Sequence, residues 1–434
     1  MKIIQITPGA GSDFNCENCL RDNALVLELR RQGHDVIMVP LYLPLVTDGS
    51  DSSLGMPLFF GGINVYLQQK SGLFRRTPRW LDSLLDAPGL LRWVAHRAEM
   101  TKPEDLGEIT LSMLRGAEGR QAKELDRLVE WLSEQERPDL VSISNALLLG
   151  LARQIKARLG VPVVCTLQDE DAFLDSLPEP YRAQAWQVVA ECSREVDAFL
   201  PVSHYYAGVM RRRLDLPPER VHVVPIGLDA AGYAPAPQPP DPPAIGFLDQ
   251  MSDGRGLRVL VEAFLLLRER GRVPSLRLRV AGGHTVGDRP FVEEILRRLA
   301  DAGAAGEADF LGIPDRAGRQ EFLRTLRVFS VPTRHPEAFG RFILEALASG
   351  VPVVQPRIGA FPEILEATGG GILVEPNNPA ALAAAMEDLL LDPARARAMA
   401  EAGQQVVLER FSLKRMAAEV SRVYEAVVER RGKA

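Results

Sequence analysis

Short continuous apolar runs alternate with amphipathic segments along most of the chain. Residues 2–7 read as a buried strand, 8–12 as a glycine-bearing loop and 21–32 as an amphipathic helix. Gly33, His34 and Asp35 then turn the chain into a second strand at 36–41. Strand, glycine loop, helix, strand is the opening of a doubly wound α/β domain. Residues 125–132 read as helix, and 139–144, 161–167 and 198–203 as further strands. The pattern restarts at 244–248 with a strand, a polar loop at 249–256 and a helix from 257 to 268. Strands follow at 276–280 and 310–314, and helices open near 342, 362, 380 and 393. Between the two series, residues 233–243 (YAPAPQPPDPP) read as a stiff, extended linker. The expected architecture is α/β, two doubly wound Rossmann-like domains: 1–232, the linker 233–243, and 244–411.

Composition narrows the picture. A chain of 434 residues is too long for one ordinary core and suits two domains. Apolar residues at 46% and charged residues at 25% are globular values, and a net charge of −6 argues against a nucleic-acid partner. No run approaches the roughly 20 apolar residues that span a bilayer. The start, MKIIQITPG, reads as a strand into a turn rather than a secretory leader, and four cysteines suit a reducing compartment. A cytoplasmic location is expected.

The densest chemistry lies at 334–363 (RHPEAFGRFILEALASGVPVVQPRIGAFPE). Pro336 and Gly340 break the chain before a run of helix formers, 342–348, and Gly350 stands where a C-cap is expected. Backbone N–H groups near Phe339, Gly340 and Arg341, with the helix dipole behind them, suit an anion. Glu337 and Glu345, in a Glu-x7-Glu frame, can accept hydrogen bonds from sugar hydroxyls. Taken singly, each glutamate reads as a solvated residue on an amphipathic helix; the whole string is far more specific.

That string resembles the donor-binding signature of retaining family-four glycosyltransferases of the GT-B architecture. Glu337, Phe339, Gly340, Leu344, Glu345, Ala346, Ala348, Gly350, Pro352, Val353, Val354, Gly359, Pro362 and Glu363 follow it in order. The resemblance implies two domains facing across a cleft, and a last helix at about 412–434 that crosses back to the first. It implies that Glu337 lies near the donor sugar and phosphates, that Glu345 holds the ribose, and that Phe339 and Gly340 meet sugar and diphosphate. It implies donor contacts from the first glycine loop at Gly9 and Gly11, from the turn at Gly283, and from the Ile313 backbone to the nucleobase. The family's paired diphosphate cations fall on Arg255, which keeps its charge, and Gln250, which does not. One lost charge-assisted hydrogen bond costs roughly 1.5–3 kcal/mol, and Arg213 and Arg334 are candidates to compensate. A histidine common in the family falls on Gln168, at the end of a strand where ligands bind. Glutamine cannot serve as a general base, which leaves Asp169, Asp171 or the leaving phosphate to take the proton. The N-terminal half is similar to glycogen and starch synthases at 60–67 and 73–76, without the lysine of their first glycine loop.

The implied reaction moves a sugar from a nucleotide-sugar donor, UDP- or GDP-linked, to an acceptor hydroxyl on a glycan, lipid or small molecule. No cofactor and no tightly held metal are implied. Cys16 and Cys19 form a lone Cys-x-x-Cys without the further ligands zinc needs. Residues 74–98 join arginines to Trp80 and Trp93, a composition compatible with peripheral contact to an anionic bilayer; a helical hairpin is the alternative we favour, since Asp82 and Asp86 dilute the charge. A catalytically impaired nucleotide-sugar sensor or scaffold competes with the transferase, on the strength of Gln168 and Gln250. A nucleotide-sugar epimerase is a further rival, separable by product analysis without acceptor.

Overall fold

The computed structural model describes residues 1–9, 17–42, 59–60 and 103–432. Gly11, Cys16, the expected hairpin beyond Phe60 and the arm at 74–98 lie outside the described residues. The chain divides into two compact units, 1–225 with 416–434, and 226–415.

Unit one is built on a parallel sheet of β1 (Lys2–Thr7), β2 (Asp35–Pro40), β3 (Leu140–Ile143), β4 (Val163–Leu167) and β5 (Ala198–Pro201), in the order β2-β1-β3-β4-β5. β3, β4 and β5 are buried along their whole length, which is why they read as largely apolar runs, broken only by Ser142 and Thr166. The crossovers carry α1 (Glu17–Arg31), α2 (Pro103–Leu114), α3 (Ala122–Glu134), α4 (Ala152–Leu159), α5 (Glu170–Ser176), α6 (Tyr181–Cys192) and α7 (His204–Leu214). The chain leaves β1 toward β2 and returns to β3 on the other side. The reversal opens a crevice beyond the carboxyl ends of β1 and β3, where ligands bind in such sheets.

Unit two repeats the plan with β6 (Ala244–Leu248), β7 (Arg277–Ala281), β8 (Ala308–Leu311), β9 (Val328–Phe329), β10 (Val353–Pro356) and β11 (Gly371–Val374), all parallel, in the order β11-β10-β9-β6-β7-β8. Its helices are α8 (Leu257–Arg270), α9 (Arg289–Asp301), α10 (Arg316–Arg324), α11 (Arg341–Ala348), α12 (Phe361–Thr368), α13 (Pro379–Leu391) and α14 (Pro393–Arg410). Asp315, Asn378 and Asp392 cap α10, α13 and α14 by accepting from backbone N–H groups. The switch point here lies between β6 and β9. A last helix, α15 (Leu413–Gly432), belongs to unit one from Met416 onward; there Tyr424 donates to Ser142 at 2.8 Å and Ser421 hydrogen-bonds His34 at 2.9 Å.

The boundary differs from the proline-rich segment 233–243, which lies wholly inside unit two. Three side chains of α10 hold the preceding carbonyls: Arg316 and Gln320 donate to Ala231, and Arg324 to Gly232. Arg327 donates to the Pro240 carbonyl at 2.8 Å. Prolines stiffened the segment but did not free it, because its carbonyls remain acceptors and arginines lie beside them. Among the described residues no helix is long and apolar enough to cross a membrane.

Candidate active site

In unit two the polar loop after β6 and the loop before α11 are pressed together by glycines. Gly256 has φ +79°, and a Cβ there would lie 1.8 Å from the Pro332 carbonyl oxygen. Arg334 N–H donates to the Gly254 carbonyl at 2.9 Å. This contact carries Arg255 to Glu337, 82 residues on, in a direct ion pair. Arg255 Nε also lies 3.5 Å from Asp249, the first residue after β6. Glu337 is clamped in turn: Ala360 N–H donates to its carbonyl at 3.0 Å, and a Cβ on Gly359 would sit 2.5 Å from its backbone. One guanidinium is therefore shared by two mostly buried carboxylates at the switch point of the sheet.

α11 starts beside this cluster. Gly340 precedes it with φ +106°, and a Cβ there would press on the Phe361 ring at 2.7 Å, so the tight entry requires glycine. Phe339 is buried against Phe411, with ring centres 6.2 Å apart. Glu345 is 5% exposed, and its Oε1 accepts from the Tyr233 hydroxyl at 3.0 Å and lies 3.3 Å from Arg341 Nη2. The Arg341 side chain thus serves Glu345.

Gln250 joins the cluster only through its backbone N–H, which donates to Asp249 at 2.6 Å; its side-chain amide donates to Asp288 at 2.7 Å. Neither expected substitute is idle: Arg334 pairs with Asp253, and Arg213, in unit one, is bidentate to Asp175 and stacks on Trp186. Gly283 accepts from Met251 N–H at 2.7 Å and lies under Ile313, whose side chain is 61% exposed.

Burial pushes the Asp249 carboxyl up to about 6, with Arg255 opposing and Glu337 reinforcing the shift. An acid whose folded pKa exceeds its unfolded value stabilises the fold fully below about 3.8 and loses that contribution as pH rises through about 6. Asp249→Asn should flatten the fall in unfolding free energy between pH 4 and 7 by about 2 kcal/mol. Denaturant titrations at stepped pH check this, and an unchanged slope refutes it.

In unit one a buried polar network lies at the ends of β3 and β4. Arg21, on α1, is held by Asp22 Oδ1 at 3.0 Å and by the Ser144 carbonyl at 3.1 Å. It donates to Gln168 Oε1 at 2.8 Å. Glu170 is fully buried and accepts from Ala146 N–H, Gln168 N–H and the Tyr206 hydroxyl at 3.0, 2.8 and 2.7 Å. Burial raises its carboxyl above the usual range, and those donors oppose the rise. Asp169 is half-buried at the start of α5, with φ +58°. Glu170, one residue past the expected Asp169, is therefore a buried carboxylate with three donors. Gly9 ends the described part of the first loop with φ +78°. Cys19 is buried and accepts from Thr7 at 3.8 Å, and among the described residues no cluster of His, Cys, Asp or Glu could hold a metal ion.

Asp249, Tyr233, Arg21 and Asp22 were not singled out by the sequence. Asp249 had a usable signal, since it directly follows a strand. Tyr233 reads only as the start of a linker, and Arg21 and Asp22 only as polar positions on a helix.

Two family models match the chain, and they meet close to the 225/226 boundary. Glycosyltransferase Family 4 covers residues 94–231, and Glycosyl transferases group 1 covers 234–406. The chain belongs to the family-four glycosyltransferases of GT-B architecture. Among its relatives is the phosphatidyl-myo-inositol mannosyltransferase of Mycobacterium leprae, 32% identical over 209 residues, 47% of this chain and 53% of that one. The D-inositol 3-phosphate glycosyltransferase of Acidothermus cellulolyticus is 32% identical over 266 residues, 56% of this chain and 57% of that one. The family-four chain spans about half the length of these curated relatives. Anabaena HepE, solved in complex with UDP, shares the fold with a TM-score of 0.69 at 17% identity, over 98% of this chain and 100% of that one.

Proposed function

We propose that this chain is a retaining glycosyltransferase that moves a sugar from a nucleotide-diphosphate sugar, UDP- or GDP-linked, to an acceptor hydroxyl. The observation that carries the reading is the group at the unit-two switch point: Arg255 bridging Asp249 and Glu337, beside a helix whose first turn follows Gly340 and whose next turn presents Glu345. Arg255 and the α11 N-terminus are suited to charge developing on a leaving diphosphate. Glu345 has Oε1 engaged by Tyr233 and Arg341, which orients Oε2 as an acceptor for ribose hydroxyls. In the reaction the bond from the anomeric carbon to the diphosphate oxygen breaks. The bond to the acceptor oxygen forms on the same face, and the acceptor proton passes to the diphosphate.

The named relatives support this class and direct the acceptor screen toward inositol phosphates and phosphatidylinositol. Thermal-shift assays with UDP, GDP, ADP and their sugars test donor binding, since a ligand of the folded state raises the midpoint. Sugar release without acceptor, and transfer with one, then test catalysis. Binding with no turnover for any acceptor overturns the transferase assignment. Glu345→Ala should weaken nucleotide binding by about 10- to 100-fold, and Tyr233→Phe by a few-fold, as expected for a charged hydrogen bond and its orienting partner. Unchanged affinity in Glu345→Ala sinks the ribose role.

A further inference from the structure

β8 is the terminal strand of the unit-two sheet. It pairs with β7 alone, so one row of its N–H and C=O groups faces outward with no strand beside it among the described residues. Such edges template pairing with another chain unless a charge or a proline blunts them. β8 carries no proline, and its one charge, Asp309, is held by Arg277 at 2.9 Å and lies 3.7 Å from Arg279. Leu311 is 40% exposed, whereas the opposite edge strand, β11, exposes no large apolar side chain. The helix beside this edge has a matching surface. α9 buries Val292, Ile295 and Leu299. One of its flanks is turned to α8: Arg258 pairs with Glu294 and stacks on Phe291 at 5.2 Å, and Arg298 pairs with Glu262 at 3.1 Å. α8 and α9 join β6 to β7 and β7 to β8 in turn, so the side of α9 away from α8 is the β8 edge of the sheet. Helical spacing puts Leu296 on that side, where it is 44% exposed.

We propose that the β8 edge and α9 together form a self-complementary interface for a second copy of this chain. The charges on α9 select that partner. Arg289, Glu293, Arg297 and Asp301 follow one another four residues apart and are all exposed. Their signs alternate from positive to negative, so the row matches its own reverse. Turned end for end about residue 295, Arg289 opposes Asp301 of the second copy, and Glu293 opposes Arg297. Arg289 also pairs with Glu293 along the helix, and such exposed pairs exchange partners at little cost. A two-fold axis normal to the sheet satisfies strand and helix at once. It pairs β8 antiparallel with its counterpart at about 4.8 Å. It also sets the two α9 helices antiparallel on one face at about 10 Å, a packing distance for helices. Leu296 lies one residue from the midpoint of the row, so the two copies of this leucine meet near the axis and leave water.

Sedimentation velocity of the full chain over a concentration series tests the interface. The expected result is a dimer at tens of micromolar. Arg297→Glu sets like charges against Glu293 of the second copy at two equivalent contacts, and should weaken the dimer by about 10- to 100-fold. Glu293→Arg should do the same against Arg297. Mixed one to one, the two variants should pair with each other at near wild-type strength, since each offers the sign that the other lacks. Both positions are exposed, and matching far-ultraviolet circular dichroism checks that the variants fold. A wild-type monomer at every concentration overturns the interface and leaves the edge to a different chain. A wild-type dimer that Arg297→Glu leaves unchanged lies on another surface and overturns it too. So does a mixture of the two variants that fails to restore pairing.

Discussion

Arg255→Met lowers kcat/KM with a nucleotide-sugar donor by about a thousandfold. The expectation follows from what one guanidinium does in two states. Without ligand it neutralises Asp249 and Glu337, which it contacts directly. On the proposed function it is, with donor bound, the cation this loop offers the diphosphate, since the Gln250 side chain is turned to Asp288. Removing it deletes a charge-assisted bond, typically about 1.5–3 kcal/mol. It also leaves two carboxylates facing a phosphate in a partly desolvated site. Loss of a single donor to a developing oxyanion costs about 10²–10³ in rate, and the carboxylates add repulsion. Arg255→Lys keeps the charge but loses the forked geometry and should retain roughly a tenth of the activity. Steady-state kinetics decide: equal activity of Arg255→Met and wild type would place the diphosphate elsewhere.

Gly256→Ala should destabilise the protein by about 3 kcal/mol or more. The left-handed φ of +79° costs an alanine about 1 kcal/mol by itself. Most of the loss is steric, because the alanine Cβ would lie 1.8 Å from the Pro332 carbonyl oxygen, and neither backbone can yield without parting the two loops. Gly271→Ala is the control: its φ is +63° and a Cβ there would meet nothing within 4 Å, so only the conformational cost applies. Urea unfolding separates the two. Matching losses would show that the loop contact is loose, and the Arg255–Glu337 pairing would then lack its support. Activity should fall with stability in Gly256→Ala, since the glycine adjoins Arg255.

Much of the architecture was readable because parallel strands buried on both faces leave continuous apolar runs, and each run is followed by a loop into a helix. The strands at 2–7 and 244–248 are found with those bounds. The helix expected at 21–32 opens four residues earlier, at Glu17, because it needs no apolar signal on its first turn. The signature around Glu337 and Glu345 was readable for a different reason. Its loop, helix and strand are local, so spacing alone sets Gly340 at the helix entry and Glu345 one turn in.

Pairings across long sequence separations were not readable. Nothing in the order of residues says that Tyr233, at the head of a proline-rich stretch, bonds Glu345, or that Arg21 holds Gln168. Gln250 shows the same limit: its place in the loop was readable, but not that a carboxylate 38 residues on takes its side-chain amide. The two α/β domains, the glycine-shaped loop before α11 and its two glutamates follow from residue order alone. They are properties of local periodicity, backbone freedom and residue type. The partner that each charged or amide group takes follows only from the packed fold. A buried polar group must be satisfied by whatever lies within about 3 Å, and that neighbour is set by the packing of whole elements.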